Sequence, residues 1–144
     1  FGMHGFHVNV TDGRYVYMRA PVREHVDQLY DYMQPPTSYP NTVTLDKLRQ
    51  SELVWDFSFT KGTPLLRLPG NCMGMISDDP KSLYAPDGLY GEGDLLFALE
   101  ADPRQLSPIQ DEAVEARMKA AMIRLMKENE APAEQYTRLG LEQP

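Results

Sequence analysis

The chain has 144 residues, of which 42% are hydrophobic and 24% charged, a composition typical of one globular domain spanning residues 1–144. The net charge at pH 7 is −7, and the excess lies in residues 70–144, which carry seven basic and fourteen acidic side chains. A negative field repels polyanions, which argues against nucleic acid and anionic membranes as partners. The single cysteine excludes an internal disulfide, and no apolar run reaches the roughly 18 residues of a membrane span.

The opening residues predict a β-hairpin that turns at Asp12-Gly13. Alternating apolar residues flank this dipeptide on both sides, in 7–11 and in 14–19, and Asp-Gly is typical of a two-residue type I′ turn. Such a turn pairs Val10 with Tyr15 and puts every second side chain on the same face of the hairpin. The face that this pair shares is predicted to lie in the core, and it carries Phe6, Val8, Val10, Tyr15 and Tyr17.

The middle of the chain predicts short elements bounded by prolines. Residues 70–93 are rich in Gly, Pro and Asp and show no hydrophobic period, so they predict a long irregular loop. The elements predicted before it are an aromatic strand at 28–33, a short helix within 42–52 that Thr44 caps, a strand in which Trp55, Phe57 and Phe59 alternate with polar residues, and a strand at 65–68.

A long amphipathic helix dominates the C-terminal part of the chain. It follows an apolar strand at 94–100, with Ser107 as its predicted N-cap and Pro132 as its end. Its apolar side chains recur with the period of a helix, and a shorter helix at 133–139 ends at Gly140. The predicted fold is therefore α+β: a small antiparallel sheet of about four strands, opened by the hairpin, with the long helix packed on it. The predicted core positions of that helix are Val114, Met118, Ala121, Met122 and Leu125.

Few residues suggest chemistry when they are considered one by one. His4 and His7 form the only close histidine pair, but no third metal ligand is evident near them. Cys72 has neither a neighbouring histidine nor a basic flank that would make its thiol reactive. Asp78-Asp79 lacks the regular alternation of a calcium-binding loop. The residues alone therefore predict no catalytic and no metal-binding group.

Several segments resemble the C-terminal part of bacterial sulfatases of the alkaline-phosphatase-like superfamily. The opening FGMHGFHVNVTDGRYVYMRAP is similar to a segment that comes just after their catalytic domain. WDFSFTKGTPLLRLPG and the stretch from Leu95 to Leu141 resemble the later segments of the same C-terminal part. An apolar strand that ends in Asp-Pro before a long helix, here at Asp102-Pro103, is how these subdomains finish.

This resemblance implies a supporting role and not catalysis. Sulfatases hydrolyse a sulfate ester with a formylglycine made from the cysteine or serine of a Cys/Ser-x-Pro-Ser-Arg motif, helped by a divalent cation, usually calcium. The chain lacks that motif, and Cys72 is followed by Met73-Gly74-Met75. The implied partner is therefore the sulfatase catalytic domain, which would hold the calcium and the formylglycine. His4, Gly5 and His7 are the residues that we expect to border its substrate pocket.

Two other hypotheses stay open. One is a free-standing domain that binds a protein or a small ligand without catalysis. The other is part of a phosphate or phosphonate ester hydrolase of the same superfamily. Only the metal-binding and nucleophile residues, which this chain lacks, would distinguish such an enzyme from a sulfatase. The genomic sequence upstream of Phe1 discriminates best, because a sulfatase requires a catalytic domain with the Cys/Ser-x-Pro-Ser-Arg motif there.

The chain begins with Phe1 and not with methionine, so we expect it to be part of a longer polypeptide. Its apolar side chains that normally contact the rest of that polypeptide should then be uncovered and cause self-association. Sedimentation at micromolar concentration should show dimers or larger species. A single monomeric species with the side chains of this surface buried would contradict the expectation. The predicted surface consists of Val16, Met18, Tyr30, Tyr32 and Tyr39.

Overall fold

The computed structural model of the chain describes residues 6–22, 25, 30–34, 45–69 and 93–143. Its strands form two antiparallel three-stranded sheets: sheet A, with the order β1-β2-β6, and sheet B, with the order β3-β5-β4. The predicted α+β class with one long helix is confirmed, and no helix among these residues is long and apolar enough to cross a membrane. The elements are β1 (Val8–Thr11), β2 (Tyr15–Arg19), β3 (Tyr30–Met33), α1 (Leu45–Arg49), β4 (Glu52–Val54), β5 (Leu65–Pro69), β6 (Leu95–Ala98), α2 (Glu112–Glu128) and α3 (Ala133–Arg138).

The N-terminal hairpin forms, but its predicted register is wrong by two residues. Val10 pairs with Tyr17 and not with Tyr15, so Gly13-Arg14 lies at the centre of the turn. Within this pair only Gly13 has a positive φ, 85°, whereas a type I′ turn needs positive φ at both central residues. Because side chains alternate with a period of two, a shift by two positions leaves each of them on its predicted face.

The carboxylate of Asp12 explains the displaced turn. Its Oδ1 accepts hydrogen bonds from the backbone N–H groups of Arg14 at 2.9 Å and Tyr15 at 2.8 Å. Its Oδ2 accepts a hydrogen bond from Arg117 of α2 at 2.6 Å. The bond from Arg117, together with the two backbone N–H groups, lowers the pKa of Asp12 to about 2. The turn is therefore held by a side chain that is itself fastened to the long helix.

The core of sheet A agrees with the prediction except at two helical positions, Ala121 and Leu125: Ala121 is half-buried and is not a member of the buried cluster. Val10 and Tyr17 are buried with Met118 and Met122 of α2 in one hydrophobic cluster. Leu125, predicted to share the buried stripe, is 38% exposed. Val8, Tyr15 and Val114 pack against the cluster, Phe6 is half-buried, and the other buried members are Leu96, Tyr136, Leu139 and Leu141.

The strand predicted from the alternating aromatic residues is wrong. Residues 58–60 form a 3₁₀ turn after β4 has ended. Phe57 is buried and its ring meets that of Tyr32 edge-on, with the centroids 5.3 Å apart, whereas Trp55 and Phe59 are exposed. The alternation thus reflects one buried aromatic ring in a turn and not one face of a strand.

The long helix begins later than the sequence predicts. Asp111, and not Ser107, is the N-cap, and its carboxylate accepts a hydrogen bond from the N–H of Val114 at 3.0 Å. The N–H of Ile109 donates to the carbonyl of Leu96 at 2.8 Å, in an isolated antiparallel bridge. Ser107-Pro108 is a local signal for the start of a helix. No helix starts there because this segment pairs with β6.

The other predicted elements are confirmed where the structure describes them. The strands at 28–33, 65–68 and 94–100 and the helix within 42–52 correspond to β3, β5, β6 and α1. The shorter C-terminal helix corresponds to α3, and Gly140 follows it with φ 58°. The predictions that lie outside the described residues are the cap at Thr44, the loop at 70–92, Cys72, Asp78-Asp79 and Tyr39.

Sheet B has its own small core and contacts the corner between α2 and α3. Its buried cluster of Val54, Phe57 and Leu65, with Tyr32, is distinct from the cluster of sheet A. Two carboxylates join it to the corner. The Oε2 of Glu130 accepts a hydrogen bond from the N–H of Ser58 at 2.6 Å, and the Oε1 of Glu134 accepts one from the hydroxyl of Tyr32 at 2.5 Å.

The exposed apolar surface lies elsewhere than predicted. Val16, Met18, Tyr30 and Tyr32 are half-buried, so they do not form an open patch. Among the described residues, large exposed apolar side chains occur in α1, in and after β4, and before and within α2, and the self-association expected from such a surface stays a prediction. Three of these side chains lie in β4 or shortly after it: Leu53 at 46% exposure, Trp55 at 59% and Phe59 at 65%.

The C-terminal ends of α2 and α3 have the same capping motif, in which Glu130 takes the position that Gly140 takes in the second one. The N–H of Ala131 bonds the carbonyl of Met126 at 2.8 Å, as the N–H of Leu141 bonds that of Tyr136 at 2.9 Å. Glu130 occupies the left-handed position of the first motif with φ 56°, where a side chain costs about 1–2 kcal/mol relative to glycine.

Glu130→Ala should lower the free energy of unfolding by about 1 kcal/mol, because it removes the bond to Ser58 and keeps the strained backbone. Glu130→Gly removes the same bond but relieves the strain, so it should be more stable than the alanine variant by about 1 kcal/mol. Urea unfolding of both variants and the unmodified chain measures the difference. An alanine variant as stable as the glycine variant would contradict the assigned backbone conformation.

Candidate functional site

His7 is the one predicted border residue that the structure describes, since His4 and Gly5 lie outside the described residues. It is half-buried immediately before β1, and its Nε2 lies 2.8 Å from the carbonyl oxygen of Gly93. A carbonyl oxygen only accepts hydrogen bonds, so this contact requires the proton on Nε2. The bond joins the segment before β1 to the segment before β6, although the central strand β2 separates these two strands.

Asp94, next to Gly93, organises the same end of sheet A. Its Oδ2 accepts hydrogen bonds from the Tyr17 hydroxyl at 2.6 Å and from Nη1 of Arg19 at 2.5 Å. Its Oδ1 accepts a hydrogen bond from the N–H of Ala20 at 2.9 Å. These three donors occupy both oxygens of the carboxylate, so Asp94 is engaged in holding strands together and is not placed as a free general base.

The protonation of this cluster follows from its burial and charge. Burial, followed by the hydrogen bond to the Asp94 carboxylate, raises the pKa of Tyr17 to about 12. Burial by itself would lower the pKa of Arg19, but its interaction with Tyr17 and the attraction of Asp94 raise it above the ordinary value. At neutral pH the tyrosine is therefore neutral and the arginine is charged.

Arg19 extends the cluster to the end of α3. Its Nε donates to the carbonyl of Leu139 at 2.7 Å, and its Nη2 lies 3.4 Å from the carbonyl of Gly140. A positive charge at a helix C-terminus is favourable, because the last carbonyl groups carry partial negative charge. A Cβ on Gly140 would lie 2.8 Å from a methyl group of Val22, so glycine permits the close contact of helix and sheet.

Arg138 is the one charged residue that is buried among those that the structure describes, with 3% exposure. Its Nη1 donates to the carbonyl of Phe6 at 2.8 Å, and its Nε donates to the side-chain oxygen of Gln135 at 3.0 Å. The carbonyl of Arg138 itself accepts from the N–H of Val22 at 2.7 Å. The end of α3 is thus attached both to the start of β1 and to the chain that leaves β2.

This arrangement, which we call the border cluster (His7, Tyr17, Arg19, Asp94 and Arg138), holds backbone in place but does not supply a reaction centre. No group of three or more His, Cys, Asp or Glu side chains that could hold a metal ion occurs in the described part of the chain. A groove beside β6 is lined by Asp94, Glu112 and Glu115, and its negative charge disfavours an anionic ligand. The chemistry that the border cluster supports is the positioning of neighbouring residues.

Sequence reasoning identified His7 but missed Asp94, Arg19 and Arg138. The contact between Arg19 and Asp94 was partly predictable from the sequence. Arg19 ends β2 and Asp94 precedes β6, and antiparallel pairing brings such ends together. The pairing of Met18 with Leu95 places these two charged residues next to each other. Arg138 gave no such signal, since an arginine in the last turn of a helix is ordinary.

Comparison with known protein families, with characterised proteins and with solved structures found no match for this chain. The sulfatase hypothesis therefore depends on the resemblance of the sequence segments alone.

Tyr17→Phe tests the hydrogen bond at the centre of the cluster. Loss of a bond to a carboxylate should lower the free energy of unfolding by about 1–2 kcal/mol at neutral pH. The folded tyrosine has a raised pKa of about 12, against an ordinary value of 10.0. The stability that this proton contributes is therefore complete below pH 10 and is lost as the pH rises towards 12. Urea unfolding should show the gap between the two proteins narrowing over this range, and a gap independent of pH would contradict the assignment.

Proposed function

We propose that the chain is the C-terminal portion of a sulfatase, in which it supports the catalytic domain and contributes the segment of His4, Gly5 and His7 to the border of the substrate pocket. The observation that carries this proposal is the double attachment of the chain just before β1. The carbonyl of Phe6 is held by Arg138, and the imidazole of His7 is bonded to Gly93. A residue that touches substrate needs such support, because small displacements weaken binding and catalysis.

The proposed role excludes catalysis by the chain itself. The sequence has no Cys/Ser-x-Pro-Ser-Arg motif, and the carboxylate of the border cluster is occupied by three donors. The formylglycine and the calcium ion of the sulfatase reaction would belong to the catalytic domain. We assign neither of them to a residue of this chain.

A second candidate function, a free-standing domain that binds a protein or small ligand, is favoured by two exposed aromatic side chains that follow β4. Trp55 and Phe59 are 59% and 65% exposed, and aromatic residues are enriched at the centres of interfaces. In a sulfatase the same side chains would be covered by the rest of the enzyme. The two functions therefore differ in what precedes the chain in its gene.

The proposed function predicts a difference between the chain and the complete polypeptide that its gene encodes. With calcium present, the complete polypeptide should hydrolyse an aryl sulfate and should carry the Cys/Ser-x-Pro-Ser-Arg motif upstream. The 144-residue chain alone should show no turnover above buffer. Aryl phosphate and phosphonate esters are the control substrates that separate the related hydrolases. Turnover by the chain alone, abolished by mutation within it, would overturn the proposal, as would the absence of an upstream catalytic domain.

A further inference from the structure

We infer that Arg138 is a positioning residue of the proposed substrate border: it holds the backbone at Phe6 and thereby sets the position of His7. This inference rests on the proposed function for its link to a substrate. The geometric part, the control of His7 by Arg138, rests on the contacts of the described residues alone.

Arg138 is buried although it carries a charge. A guanidinium with 3% exposure has lost most of its hydration, which is unfavourable unless its donors are satisfied by the protein. Arg124 on α2 shows the ordinary arrangement, with a side chain that is 61% exposed and paired with Glu128 one helical turn away. Arg138 instead reaches a residue that lies 132 positions away in the chain.

The guanidinium of Arg138 is held in one orientation. Its donors lie in one plane, so fixing one of them directs the others. Gln135, on the same face of α3, accepts the hydrogen bond from Nε at 3.0 Å and directs Nη1 towards Phe6. The backbone of Arg138 is held as well, because its carbonyl accepts from Val22. The backbone carbonyl and the Nε of Arg138 are therefore both held by hydrogen bonds within or next to α3. These bonds direct Nη1 towards the segment that leads into β1.

Arg138 contacts the backbone directly before His7. The carbonyl of Phe6 belongs to the peptide bond that enters His7, so a hydrogen bond to it fixes the plane of that peptide group. The other end of His7, its Nε2, is bonded to Gly93. With one contact on its backbone and one on its ring, His7 has a defined orientation. Removing Arg138 releases the backbone contact and leaves the ring contact in place.

The first experiment compares variants of the complete polypeptide in aryl sulfate hydrolysis. Arg138→Met keeps an unbranched apolar side chain but removes the guanidinium donors, and it should raise KM on the order of tenfold while kcat stays within about twofold. Arg138→Lys retains a donor for Phe6 and should restore part of the affinity. Arg124→Met makes the same chemical change on the surface and should leave both constants unaltered.

Controls separate positioning from general destabilisation. Glu130→Ala lowers stability at the corner between α2 and α3, so it should leave KM unchanged. Should Arg138→Met fail to fold, Gln135→Ala keeps the charge and removes only the bond that orients it, and a smaller rise in KM is then expected. A KM unaffected by the Arg138 and Gln135 variants, or equal effects from Glu130→Ala, would overturn the inference.

The second experiment uses the 144-residue chain and needs no enzymatic activity. In NMR spectra, Arg138→Met should shift the imidazole and amide resonances of His7 and reduce the hydrogen-exchange protection at the start of β1. Arg124→Met should leave them in place. Resonances of His7 that do not respond to Arg138→Met would overturn the inference even in an active sulfatase. An inactive complete polypeptide would overturn the proposed function instead, and the response of His7 would still decide whether Arg138 positions it.

Discussion

The carboxylate of Asp94 is the interaction on which the arrangement of sheet A depends. It accepts hydrogen bonds from the hydroxyl of Tyr17, the guanidinium of Arg19 and the backbone N–H of Ala20, so β6 is joined to the end of β2 at the edge where the ladder stops. Arg19 carries the connection further, to the last carbonyl groups of α3. Asp94 and Arg19 together therefore connect β6, the end of β2 and the end of α3. A hydrogen bond to a charged acceptor in a partly buried place is stronger than one in water.

The described residues form two hydrophobic clusters that are joined by polar contacts. The cluster of sheet A contains the two buried methionines of α2, whereas the cluster of sheet B is built around Phe57. Glu130 and Glu134, at the corner between the helices, contact sheet B through a backbone N–H and a tyrosine hydroxyl. Contacts of this kind are directional and depend on few atoms.

This architecture is consistent with a supporting subdomain. The border cluster contains charged residues, but its described donors and acceptors are engaged in holding the chain in place. In the proposed sulfatase the chemistry would come from the catalytic domain, while the segment before β1 would be presented to the substrate from a rigid edge of sheet A. His7 is bonded on its ring and next to a held carbonyl, which is the form of support that a substrate-facing residue requires.

The sequence by itself determined the fold class, the faces of the hairpin and most of the elements, because these depend on local hydrophobic periods. Val10 and Tyr17 were assigned to the core correctly even though the register was not, since a shift by two preserves the face of each side chain. The glycine after α3 was also predictable, because a left-handed position at a helix end is a local requirement.

Only the tertiary structure decided the turn of the hairpin, the start of α2 and the border cluster. Asp12 draws the turn towards Arg117, which lies 105 positions away, and Ile109 extends along β6 in place of a first helical turn. Arg138 reaches Phe6 across 132 positions. In each case a hydrogen bond between distant parts of the chain outweighs or supplements the local preference. Such a bond cannot be inferred from neighbours in sequence, because its partner becomes close only when the two sheets and the helices have packed.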